Sequence, residues 1–166
     1  MRRSLRGNAL IETAMMMPLL ILLLVGMVEI ARLTYTYYTL HKTLYSLGRY
    51  LGTQQGANFC DDADAVVSAA KTFALTGGSD SAVDPAVGGL TADMIRVRIE
   101  RYAADTDELG QCECSLSGCD SSQGGRAPDF IVVEIPDGYP ILPRIPYLQS
   151  NEILFRPRVR VPFGGT

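Results

Sequence analysis

Fifteen consecutive residues, Ala14 to Val28, carry no charge, and Leu19 to Val25 within them are wholly aliphatic. A run of this kind near an N-terminus reads as a membrane anchor or as a secretory signal. Basic residues precede it (Arg2, Arg3, Arg6), as they do in a signal. No small-x-small cleavage site follows, however: after Gly26 come Met27, Val28 and Glu29, and the helical pattern continues. An anchor is therefore the expectation. As a helix, Ala9 to Leu33 covers roughly 37 Å, enough to cross a bilayer core with some tilt.

Charge sets the expected orientation. The formal net charge of the 166 residues is −3, and without the three leading arginines it falls to −6. Positive charge before the span and an acidic remainder after it predict a cytoplasmic N-terminus and a C-terminus on the far side, periplasmic for an inner-membrane protein. An acidic remainder without a basic patch argues against nucleic acid as a partner. The length allows one ordinary domain beyond the span.

The helix is expected to continue past the membrane. Leu33, Tyr37, Leu40, Leu44, Leu47 and Leu51 recur at spacings of four and three, which draws one apolar stripe. Arg32, Thr36, Lys42 and Arg49 fall on other faces, and Tyr35, Tyr37 and Tyr38 sit where an outer aromatic belt would lie. A helix from Ala9 to about Thr53 would be roughly 67 Å long. Pro18 removes one amide donor and is expected to open or kink it near its start. Gly48, Gly52 and Gly56, four apart, read either as fraying or as a face closely approached by a sheet or a second helix.

Further on, "DDADAVVSAAKTFALTGG" reads as a short amphipathic helix with acids at its start and glycines at its end. Strict alternation in "DMIRVRIERYA" sets Ile95, Val97 and Ile99 against Arg96, Arg98 and Glu100, a half-buried strand. "DFIVVEI" is a second strand and "EILFRPRVRVPF" a third, placed at an edge or a bulge by Pro157. The four prolines of "PDGYPILPRIPY" predict an extended connection between them. The sum is α+β: a long helix covering a small antiparallel sheet of three to four strands, with one short extra helix.

Cys60, Cys112, Cys114 and Cys119 lie beyond the span, where an oxidising compartment favours disulfides. Cys112 and Cys114 are too close to pair comfortably with each other, so one is expected to reach Cys60 and the other Cys119. Cys-x-Cys-x4-Cys lacks the paired knuckles of a structural zinc site. No catalytic motif is present, and His41 is the only histidine, on the polar side of the long helix beside Lys42. A thiol–disulfide enzyme using Cys112 and Cys114 would want a βαβ pattern, which is missing. No metal, cofactor or catalytic residue is expected.

Two features of the entry region remain. Gly7 stands between the arginines and Asn8, and Glu12 is the fifth residue after Gly7, at the start of an apolar helix where an unpaired carboxylate is costly. This resembles the prepilin-peptidase site of type IV pilins and pseudopilins. The longer stretch "GNALIETAMMMPLLILLLVGMVEIARL" resembles the TadE-like proteins, minor pilins of the tight-adherence (Tad) pilus system. Gly7, Ala9, Glu12, Ala14, Pro18, Gly26, Glu29 and Arg32 match that family's pattern in place, with Thr13 where it usually has an aromatic.

The resemblance implies a leader of residues 1–7 removed between Gly7 and Asn8, a transmembrane helix over 8–33, and an outer pilin-like domain over 34–166. It implies that Glu12 pairs with the freed amine of Asn8 on an adjacent subunit. The implied partners are the inner membrane, prepilin peptidase, other TadE- or TadF-like pilins, the major pilin and the pilus assembly platform. The implied role is structural, in adhesion and biofilm formation. Glu29, about 26 Å along the axis from Glu12, is expected near the opposite interface and in an ion pair with Arg32. The competing reading is an unprocessed single-pass protein with a periplasmic binding domain.

Overall fold

Leu40, Leu44, Leu47 and Leu51 are wholly buried, and their helical spacing is what joins the two halves of this molecule. The computed structural model describes residues 4–54, 56–78, 84–103, 108–112, 126–144 and 151–164, with side chains from Leu10 onward. Helix α1 runs unbroken from Ser4 to Leu51, 48 residues, passing through Pro18. It starts in the basic leader, earlier than the apolar pattern predicts, and ends where the stripe ends. Its final turns lie across a four-stranded antiparallel sheet, and a second helix, α2 (Ala65–Thr76), packs beside it.

Helix α2 has a definite start and stop. The Asp64 carboxylate accepts from the backbone N–H groups of Val66 (2.8 Å) and Val67 (3.2 Å), satisfying donors that have no partner in the first turn. At the other end Gly77 takes φ +74° and its N–H bonds back to Phe73 O at 2.8 Å. Lys71 is buried, and its ammonium pairs with Asp62 at 2.8 Å.

The main sheet is formed by β1 (Arg96–Tyr102), β2 (Leu109–Gln111), β3 (Phe130–Glu134) and β6 (Arg158–Pro162), in the order β2-β1-β3-β6. Register places Ile99 opposite Ile131 and that opposite Val161, and Val97 opposite Val133 and that opposite Val159. These six apolar residues share the face turned to the α1 leucines, and together they make the core. The architecture is α+β.

Gly48 and Gly52 bring α1 unusually close to β6. A Cβ on Gly48 would lie 2.9 Å from Val161 Cγ2, and one on Gly52 would lie 3.2 Å from Pro162 O. Close approach, not fraying, is thus the reason for these two. Gly56 is not on the same face: it lies beyond the helix with φ +77°. The chain after β6 closes on the helix end, with Gly164 N–H bonded to Gly52 O at 2.9 Å.

Two expectations are corrected. The proline-rich connection contains a strand, β4 (Tyr139–Ile141), and "EILFRPRVRVPF" is two strands in different sheets. Its first part, β5 (Ile153–Phe155), pairs with β4 as a separate two-stranded ribbon, and only β6 joins the main sheet. Pro157, buried between them, cannot donate to a ladder, so the chain changes sheets there. Pro140 is tolerated because a two-stranded ribbon has only edges. β2, three residues long with no alternation to mark it, has no counterpart among the expected strands.

Candidate functional site

The first half of α1 is exposed along its length from Leu10 to Leu24. Every large apolar side chain from Leu10 to Leu24 is half exposed or more. Each would cost about 1.5–3 kcal/mol if left in water, so this surface needs lipid or other apolar helices. The helix is long and apolar enough to cross a membrane. At its exit the hydroxyls of Thr34, Thr36 and Thr39 donate to the carbonyls of Ile30, Arg32 and Tyr35 (2.8–3.0 Å), so these polar side chains are satisfied within the helix.

Two carboxylates sit at its ends in opposite circumstances. Glu12 is exposed among Leu10, Ile11, Met15 and Met16, with no hydrogen-bond or ion-pair partner among the described residues. Gly7 and Asn8 lie one turn earlier, in helical backbone. Glu29 is buried at 7% exposure. Its Oε1 accepts from Arg32 Nη1 at 3.0 Å and also from the backbone N–H of Arg144 at 3.0 Å. The Arg32 contact is the short-range one that i, i+3 spacing allows. The Arg144 contact comes from the segment after β4 and ties it to the membrane end of the helix.

Pro18 leaves the Ala14 carbonyl without its helical donor, in a stretch where each lost bond is expensive. Cys60 and Cys112 are each in a disulfide, and both border the same shallow cleft as Phe59 and Arg96. Cys114 and Cys119 lie outside the described residues.

A polar network that neither strand announced by itself covers the sheet's outer face. Arg158 and Arg160 reach Glu100 at 2.6 and 2.7 Å, and Arg98 pairs with Glu134 at 2.8 Å. The two β6 arginines cross over Val132, which is therefore wholly buried although it faces away from α1. Arg160 also lies over the Phe130 ring, 5.8 Å from its centroid. The acidic net charge conceals this cluster, and only the β1–β3–β6 register could have revealed it. Among the described residues no group of His, Cys, Asp or Glu is arranged to hold a metal.

The residues that distinguish this chain are thus strung along α1, not gathered in a cleft. A family model described as TadE-like protein matches residues 7–49, nearly the whole of that helix. The N-terminal helix is TadE-like. The match begins at Gly7 and ends within the buried leucine stripe, so it takes in the exposed half, both carboxylates and the first docking turns. No curated protein and no solved structure matches the chain.

Proposed function

We propose that this protein is a minor pilin of the tight-adherence type, a structural subunit that enters the inner membrane, is processed after Gly7 and is delivered to a pilus for surface adhesion and biofilm formation. The observation that carries the reading is the coincidence of the TadE-like segment with a helix exposed and apolar in one half and buried under its own domain in the other. The buried half holds the domain; the exposed half serves first as a lipid anchor and then as a packing surface between subunits. The N-terminus is cytoplasmic, and the domain faces the periplasm.

Glu12 has a defined task in this account. A carboxylate in the first turns of a membrane helix costs up to a few kcal/mol unless it is paired. Processing by prepilin peptidase frees the amine of Asn8, and that amine on an adjacent subunit neutralises it. The neighbours are other TadE- or TadF-like pilins and the major pilin, brought together by the assembly platform. The cysteines are cross-links in this oxidising compartment: one of Cys112 and Cys114 bonds Cys60, the other Cys119, tightening a loop of about fifty residues by roughly 3–4 kcal/mol.

In cells carrying the secretion and assembly genes, Glu12→Ala is expected to reach normal levels in the membrane. It should be depleted from sheared fibres by about tenfold or more, as the loss of a pairing worth a few kcal/mol requires. Recovery of Glu12→Ala in the fibre fraction at the wild-type level would remove Glu12 from assembly.

A further inference from the structure

The β4–β5 ribbon is held against α1 at two heights. The Phe155 ring meets the Tyr37 ring edge-on, centroids 5.5 Å apart, and the Arg144 N–H bonds to Glu29 at 3.0 Å. Tyr37 and Glu29 are eight residues apart, about 12 Å along the helix. From its Phe155 end to Arg144 the ribbon therefore runs down α1 towards the exposed apolar half. Its lower end is level with Met27, Val28 and Ile30, which are all about two-thirds exposed.

At that height the ribbon shows an apolar face. Pro140 is paired with Leu154, and Leu142 follows on the same side by strand alternation. Leu142 is 54% and Leu154 47% exposed, whereas Ile141, on the opposite side, is buried. Exposed Arg144 and Arg156 flank the face, with Glu152 the one nearby acid on β5's approach. Exposed Tyr35 and Tyr38 stand roughly one and a half to two and a half turns above Glu29 on the helix.

We propose that this ribbon is a second membrane contact, with its Pro140–Leu142–Leu154 face seated in the headgroup region of the leaflet on the domain's side. The inference rests on α1 being a membrane span. An apolar face at the height where the span's lipid-facing surface ends is continuous with that surface, and arginines at its rim suit phosphate headgroups. It also accounts for Glu29: the ribbon's end covers a carboxylate that would otherwise face the interface unshielded. Two contacts hold the domain at one height and one rotation, which a single helix does not.

The chain contains no tryptophan, so single-tryptophan reporters are clean. Leu142→Trp, Leu154→Trp, Leu20→Trp on the span and Phe73→Trp on α2 would each be placed in the full-length protein. All would be reconstituted in phosphatidylcholine–phosphatidylglycerol vesicles, with and without lipid brominated near the headgroup end of its acyl chains. Quenching of about twofold or more at positions 142 and 154, with none at 73, is the expected result for interfacial insertion. Quenching at 20 without quenching at 142 and 154 overturns the ribbon contact and leaves the span intact. Leu20 lies near mid-span, so its reporter is also read with lipid brominated near the ends of its acyl chains, and no quenching at 20 by either lipid overturns the span itself. Blue-shifted but unquenched emission at 142 and 154 assigns the face to a protein neighbour and also overturns the proposal.

Discussion

Leu44→Ala is expected to destabilise the outer domain by about 2–5 kcal/mol, the range for removing a fully buried leucine from a core that cannot collapse around the gap. Leu44 has no exposed surface and lies between Leu40 and Leu47 against the Val133–Val161 face of the sheet. The same substitution at Leu22, 61% exposed on the same helix, is expected to change domain stability by no more than about 0.5 kcal/mol. Urea titration of the full-length protein in mild detergent, followed by near-UV circular dichroism of the domain's tyrosines, measures both. Equal effects at the two positions would contradict the division of α1 into a free half and a docked half.

Glu29→Ala is expected to release the segment after β4. The carboxylate is the acceptor for the Arg144 N–H in a part-buried bond, and losing a charged acceptor there costs about 1–3 kcal/mol. Hydrogen exchange at the Arg144 amide should therefore quicken by about fivefold to a hundredfold, since each 1.4 kcal/mol is a factor of ten. Glu29→Gln keeps an oxygen for that N–H and should show a smaller increase. Arg32→Ala should show the smallest, because the Arg32 side chain is 39% exposed and its partial loss is made good by solvent. An Arg144 amide unchanged in Glu29→Ala would mean that the ribbon is held by Tyr37–Phe155 and its own packing alone.

What could be read from the chain depends on how local its cause is. The α1 stripe, the acids and glycines that bound α2, the alternation in β1 and β6 and the apolar run of β3 are local patterns, and they lead directly to the observed elements. β4 was hidden by Pro140, whose residue type argues against a strand; a ribbon with two open edges sets that rule aside. β5 and β6 look like one strand because only Arg156 and Pro157 stand between them in sequence, and only the tertiary demand that the chain change sheets at Pro157 separates them. The approach of β6 to Gly48 and Gly52 was visible as spacing, but Gly56 shared the spacing and not the cause.

The candidate site residues divide in the same way. Gly7, Glu12, Glu29 and Arg32 stand in one continuous motif and are found by reading along it. Glu29's second partner, Arg144, is 115 positions away in sequence and follows no period. The Glu100 cluster likewise needs strand register: Arg158 and Arg160 are simple polar positions of β6 until β3 sets them across Val132 from β1. Glu12 presents the reverse case, with no partner among the described residues, and what completes it lies on another molecule in the proposed assembly.

The measurement that bears most directly on that assembly is the N-terminus of the mature protein, read by intact mass and N-terminal sequencing from membranes with and without a co-expressed prepilin peptidase. The account predicts a chain beginning at Asn8 only when the peptidase is present, with processing lost in a Gly7→Ala variant that still inserts. A chain beginning at Met1 or Arg2 under both conditions would contradict it, and would leave an anchored periplasmic domain whose Glu12 pairs with no neighbouring amine.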